Sequence, residues 1–345
     1  MPGRRSSKAL KDFQTAESED APVTTSSATG IKALIGVFGD TNADLFISAR
    51  ALSIPELLSI VFSFSAEPEL AISARVCKTW SDPALDELWV DLDTVFPLLE
   101  LVLDLEPLRD EETDRAFLEE VSRALTGANW PRFHFYAQRV RSLRLGDLDY
   151  YYKDHAPLEL RELIHLDIKL SQPSEARITE IFCALRNRTP KLKTFRLEIP
   201  YRNTFSEAAL VSWLEKMETL EEIELPPYYL MPRILTVMKT FPRLRIIDQT
   251  PNPWYIPKDA GILEPLPENS FPSLVQLTLP ATPAATQRFL FNSSTNFTSL
   301  TSLKLHTPDD IETNQLLSFT QQIASRGHSL THQNIGKALS MQAPQ

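Results

Sequence analysis

The sequence predicts an α/β protein: a small all-α block followed by an irregular solenoid, with short parallel strands on the concave face and helices on the convex face. Three observations carry that expectation. A compact segment, residues 52–92, repeats bulky apolar residues at helical spacing. Seven later segments fit one pattern, L-x-x-L-x-L, and their first positions are 23, 29, 28, 24, 30 and 26 residues apart. The stretches between them carry the stripe of a half-buried helix, as a crossover between parallel strands requires.

Residues 1–48 form an N-terminal tail. Its first thirty residues are rich in Ser, Thr, Ala and acidic residues, with too few bulky apolar groups to offset the entropy of ordering, and are expected to be disordered. The helical block occupies 49–103. Its first helix starts at Pro55, because proline suits the first helical position, and runs to about Phe64, with Leu57, Leu58, Val61 and Phe62 at helical spacing. A second helix runs from about Pro68 to Trp80, with Leu70, Ala74 and Cys77 on one stripe and Arg75 and Lys78 outside it. Asp82 as N-cap and Pro83 at the first position start a third, carrying Leu85, Leu88 and Trp89. Residues 104–135 read as a connecting helix whose acidic opening is a solvated face.

The repeating array spans 136–330. Its segments are VRSLRL from Val140, LIHLDI from Leu163, LKTFRL from Leu192, LEEIEL from Leu220, LRIIDQ from Leu244, LVQLTL from Leu274 and LTSLKL from Leu300. Three crossovers show clear stripes: Ile178, Ile181, Phe182 and Leu185; Leu210, Trp213, Leu214 and Met217; Ile234, Val237, Met238 and Phe241. Gln249 stands where the pattern calls for an apolar residue. Beyond Leu330 the chain turns polar, so 331–345 read as a C-terminal tail.

Composition excludes several classes of function. A formal charge of −10 on 345 residues argues against generic binding to nucleic acid or an anionic membrane, both of which need a basic face. The two cysteines, Cys77 and Cys183, offer neither a disulfide framework nor a zinc site. With no apolar leader core and no run of about 18 apolar residues, the expected compartment is the cytoplasm, the nucleus or both. No phosphate-cradling glycine motif, nucleophile elbow or metalloprotease motif occurs. His328 and His332 have helical metal spacing but no third ligand. The expectation is therefore a chain without catalytic residues, metal or cofactor: not an enzyme.

Within the helical block, Glu56, Leu57, Leu58, Val61 and Phe62 spell an E-L-L-x-x-V-F opening, Val76, Cys77, Lys78 and Trp80 form V-C-K-x-W, and Leu88 and Trp89 close with L-W. This set and its spacing resemble an F-box. One departure is plain: Ser53 and Ile54 occupy the family's L-P positions, and Pro55 comes one place later. The resemblance implies docking of the Skp adaptor of SCF ubiquitin ligases, which completes the core of a block too small to bury its own apolar surface, and through it the cullin scaffold. The residues it implicates in adaptor binding are Pro55, Glu56, Leu57, Leu58, Val61, Phe62, Leu70, Val76, Cys77, Trp80, Leu88 and Trp89.

The array similarly resembles leucine-rich repeats, although the Asn that usually follows the last leucine is missing: Leu148, Ser171, Pro200 and Tyr228 hold those places. Alternation along each strand assigns the residues between the leucines to the concave face. The candidate target-binding residues are Arg144, His165, Asp167, Lys169, Arg196, Glu198, Glu222, Glu224, Asp248, Gln276, Lys304 and His306. Their acidic middle suits a basic or polar protein segment. Resemblance to F-box proteins with leucine-rich repeats, such as those of fungi, implies the substrate-recognition subunit of an SCF ligase, which acts by proximity and holds an unidentified protein target. The other reading is a leucine-rich interaction scaffold that works without a ligase, its helical block serving as an N-terminal cap.

Overall fold

The computed structural model describes residues 50–101, 130–146, 160–171, 174–186, 188–199, 207–230, 232–250, 270–279, 286, 299–307, 321 and 332–337. The tail assigned to 1–48 and residues 104–129 of the connecting helix lie outside them. The protein is α/β, an open parallel sheet with helices. It divides into two compact units, Met1–Leu143 with His155–Pro157, and Arg144–Asp154 with Leu158–Gln345.

The first unit opens with helix α1, Pro55–Phe62. Ile54 before it is extended (φ −93°, ψ 112°), because a residue preceding proline is pushed out of the helical region. Helix α2, Glu67–Ser73, starts where the Glu69 carboxylate accepts the Ala66 N–H at 2.9 Å. The expected continuation of this helix to Trp80 does not occur. Arg75 and Val76 donate to the carbonyls of Ile72 and Ser73, tightening the last turn, and Cys77 is extended at φ −164°.

Helix α3 then runs without interruption from Lys78 to Trp89, with Pro83 inside it. This corrects the expectation of a helix starting at Pro83 with Asp82 as its cap. Proline in the second turn forfeits one bond, to the Thr79 carbonyl, and costs roughly 3 kcal/mol. The continuous helix buries Ala84, Leu85, Leu88 and Trp89, and each large side chain contributes about 1.5–3 kcal/mol. Asp82 is used elsewhere. Its carboxylate accepts from Arg139 Nη2 at 2.6 Å, and Asp86 accepts from Nη1 of the same guanidinium. Arg139 follows helix α5, Trp130–Ala137, whose Tyr136 ring packs against Trp89 at 4.7 Å. A two-residue strand β1, Asp91–Leu92, pairs in parallel with β2, Ser142–Leu145, and a short helix α4, Phe96–Glu100, adds Leu98 and Leu99 to the core.

In the second unit, strands β3 (His165–Lys169), β4 (Thr194–Glu198), β5 (Glu222–Leu225), β6 (Ile246–Gln249), β7 (Gln276–Leu279), β8 (Ser302–Thr307) and β9 (His332–Lys337) pair in parallel in sequence order. All seven pattern segments therefore yield a strand, β2 to β8. Their first positions, Val140, Leu163, Leu192, Leu220, Leu244, Leu274 and Leu300, are buried, as are the fourth positions from Leu143 to Leu303. One backbone device recurs: the carbonyl just before a strand accepts two successive N–H groups of the next unit. Ile164 takes Lys193 and Thr194, Lys193 takes Glu221 and Glu222, Glu221 takes Arg245 and Ile246, Arg245 takes Val275 and Gln276, and Val275 takes Thr301 and Ser302.

Helices α6 (Glu175–Leu185), α7 (Glu207–Leu214) and α8 (Pro232–Met238) occupy three crossovers. Their predicted stripes are buried except for Val237, which is half-buried. Phe182, Phe195 and Trp213 form one aromatic cluster, with ring centroids 4.5–6.1 Å apart. The polar segment assigned to a tail contributes β9, in register with β8 from Ser302↔His332 to Thr307↔Lys337.

After β5 the chain forms a 3₁₀ turn, Pro227–Tyr229, and the buried Tyr228 hydroxyl donates to the Ile199 carbonyl of the preceding unit at 2.6 Å. A phenol thus satisfies a loop carbonyl of the preceding unit. Tyr228→Phe should lower unfolding stability by about 1–3 kcal/mol, because it leaves that carbonyl buried without its donor. Urea unfolding followed by circular dichroism checks this; an unchanged midpoint would show that the bond contributes nothing.

Candidate functional site

Two surfaces gather the candidate residues, one in each unit. In the first, helix α1 carries two apolar stripes. Leu58 and Phe62 face inward and are buried. Leu57, Ile60 and Val61, spaced i, i+3, i+4, form a second stripe that is exposed, and Phe64, in the turn that follows the helix, is exposed at 87%. Leu52 and Ile54, just ahead of the helix, are exposed too, and Ile72 of α2 is exposed at 67%. Single exposed apolar residues need no explanation, but a whole exposed stripe does.

The predicted adaptor-binding residues divide accordingly. Pro55, Glu56, Leu57, Val61 and Cys77 are exposed, and Val76 and Trp80 are half-buried. Leu58, Phe62, Leu70, Leu88 and Trp89 are core residues of the unit itself, with at most 3% exposure. Those five pack against one another within the unit. Ile60, Phe64 and Ile72 were not among the candidates. The signal that could have found them is that α1 is apolar around more of its circumference than one packed face requires.

In the second unit, the residues predicted for the concave face lie on neighbouring strands at matched register. One row runs Asp167↔Arg196↔Glu224↔Asp248, and Thr278↔Lys304 pair beyond it. Arg144 approaches Asp167 at 3.8 Å, Lys169 holds Glu198 at 2.7 Å, and Arg196 is shared between Glu198 (3.7 Å) and Glu224 (3.5 Å). Asp248 accepts from Gln276 Nε2 at 2.6 Å and from Lys304 Nζ at 3.1 Å. His165 and Glu222 are exposed. His306 lies on β8, but its side chain is outside those described. The structure thus brings the predicted charges together chiefly as partners of one another.

Burial raises the Asp167 carboxyl above its ordinary range, against the pull of the Arg196 and Arg144 guanidinium groups. Burial likewise raises Glu224, which lies opposite Asp248, with Arg196 acting against the shift. Asp248 goes the other way. Burial pushes it up, but the Thr278 hydroxyl beside it, the Gln249 N–H and the Lys304 ammonium hold it below its usual value.

Among the described residues no helix is long and apolar enough to cross a membrane, and no group of three or more His, Cys, Asp or Glu side chains is placed to hold a metal ion. Comparison with protein-family models and with curated protein sequences gives no match.

Asp248→Asn should destabilise the chain by roughly 1 kcal/mol at pH 7. Because the folded-state carboxyl is held below its unfolded value, this contribution is full above the ordinary Asp range and is lost as pH falls through the folded pKa. Urea midpoints of wild type and variant should differ at pH 7 and draw together as pH falls below the ordinary Asp range, whereas a constant gap would assign the loss to shape rather than charge.

Proposed function

We propose that this chain is the substrate-recognition subunit of an SCF-type ubiquitin ligase, docking the Skp adaptor through the helical block and presenting a target protein on the outer strand face. The observation that carries the reading is the second apolar stripe of α1. Its first stripe is already buried within the unit, so Leu57, Ile60, Val61 and Phe64 are left for a partner. The E-L-L-x-x-V-F, V-C-K-x-W and L-W motifs resemble those of F-boxes and support the adaptor as that partner. Ten of the twelve positions then divide between two jobs: the five buried ones build the block, and the five exposed ones meet the adaptor.

No residue of this chain is asked to make or break a bond. The contribution to catalysis is proximity, with a target held where a charged conjugating enzyme brought by the cullin scaffold can reach it. The paired charges of the strand face favour an oriented, polar partner, since a target must replace each ion pair it displaces.

The test is co-purification with the Skp adaptor. Leu57→Ala combined with Val61→Ala should weaken adaptor binding by about tenfold or more while leaving the unfolding midpoint near that of wild type, because both side chains are already exposed. Leu58→Ala should instead lower stability by roughly 2–5 kcal/mol. Wild-type protein that retains no adaptor in a pull-down would overturn the ligase reading.

A further inference from the structure

Trp80 is the aromatic residue of the V-C-K-x-W motif, and its surroundings give it a different task from the exposed stripe. It sits in the first turn of α3, set there by the extended Cys77 before it. The ring meets Phe62 edge to face at 5.7 Å, and its Nε1–H donates to the Leu52 carbonyl at 3.0 Å. Leu52 belongs to a tight turn ahead of α1. Ser53 N–H and Oγ both donate to the Arg50 carbonyl, at 3.1 and 2.7 Å, and Ile54 N–H donates to Ala51 at 3.2 Å. Three successive carbonyls, of residues 50, 51 and 52, are thereby satisfied, and the third is satisfied by a side chain 28 residues away.

The side chains this turn displays are Leu52 and Ile54, both exposed and only a few residues ahead of Leu57 in the chain. Ser53 and Ile54 are also where the chain departs from the L-P of the F-box pattern. Pro55 restrains only the residue just before it, Ile54, and leaves Leu52 and Ser53 without proline's fixed φ. A hydrogen bond from a ring already anchored on Phe62 supplies a restraint there.

We infer that Trp80 is a positioning residue: its indole N–H clamps the Arg50–Ile54 turn so that Leu52 and Ile54 are pre-set as the N-terminal part of the docking face. The inference rests on the docking role proposed above. The clamp lowers the ordering cost that two otherwise mobile apolar side chains would incur on binding.

Trp80→Phe in the full-length chain keeps an aromatic ring against Phe62 and removes only the donor. Hydrogen exchange of the free protein should then show the Ser53 and Ile54 amides exchanging about tenfold faster, the measure of one lost hydrogen bond, with amides of α6 unchanged. Adaptor affinity should fall about three- to tenfold. In a Leu52→Ala, Ile54→Ala background the same change should have almost no further effect, because the side chains being positioned are gone. A purely structural role for Trp80 would give the same loss in both backgrounds and would overturn the inference. Unchanged exchange at residues 53 and 54 overturns the clamp whatever the adaptor does. Faster exchange with unchanged affinity overturns its link to docking. If wild type binds no adaptor, the ligase reading and the docking half of the inference fall together, while the exchange comparison still decides the clamp.

Discussion

A strand of four or five residues in a parallel sheet cannot satisfy its own backbone, so each unit of the array depends on its neighbour through one carbonyl. That carbonyl stands just before the strand and takes two N–H groups from the following unit. The arrangement recurs from Ile164 to Val275 at matching places in successive units. It fixes register without help from side chains, and register decides everything else. Because side chains alternate along a strand, a slip of one residue would move Leu166, Phe195, Ile223, Ile247 and Leu277 out of the core and bring Asp167, Arg196, Glu224 and Asp248 into it.

Register also accounts for the character of the outer face. It sets Arg196 between Asp167 and Glu224, which is favourable, and it sets Glu224 opposite Asp248, which is not. Lys304 and Gln276 converge on Asp248 and relieve that second contact. Asp167 and Glu224 are costlier when charged than they would be in the unfolded chain, while Asp248 is easier to charge; as pH falls, the first two relax and the third loses its support. A surface of this kind resists acidification in some places and yields in others.

Much of this was legible in the sequence because it rests on period. The L-x-x-L-x-L segments gave strands and the 3.6-residue stripes gave crossover helices, since burial selects both patterns directly. What stayed hidden depends on geometry that has no local signature. The turn at Ala74–Val76 divides α2 from α3 inside an apolar run that reads as continuous. Pro83, ordinarily a start signal, is carried inside α3 because Trp89 and Leu88 are worth more than the bond it forfeits. Strand β9 is polar and pairs by backbone, so its composition conceals it. Tyr228 reaching Ile199, and Trp80 reaching Leu52, join residues 29 and 28 apart whose meeting only the folded chain specifies. In the helical block the apolar residues were visible, but which of them face outward was not.

Gln249 has a further consequence. It occupies a core position of β6 with 9% exposure, and among the described residues its Nε2 has no hydrogen-bond partner. In an array of this kind, stability is close to a chain of nearest-neighbour couplings rather than one shared core. A desolvated amide at one link weakens that coupling alone. The expectation is an array that is not uniformly cooperative but has a built-in seam at β6. The units before it, stiffened by the Phe182, Phe195 and Trp213 cluster, can stay folded while those after it open.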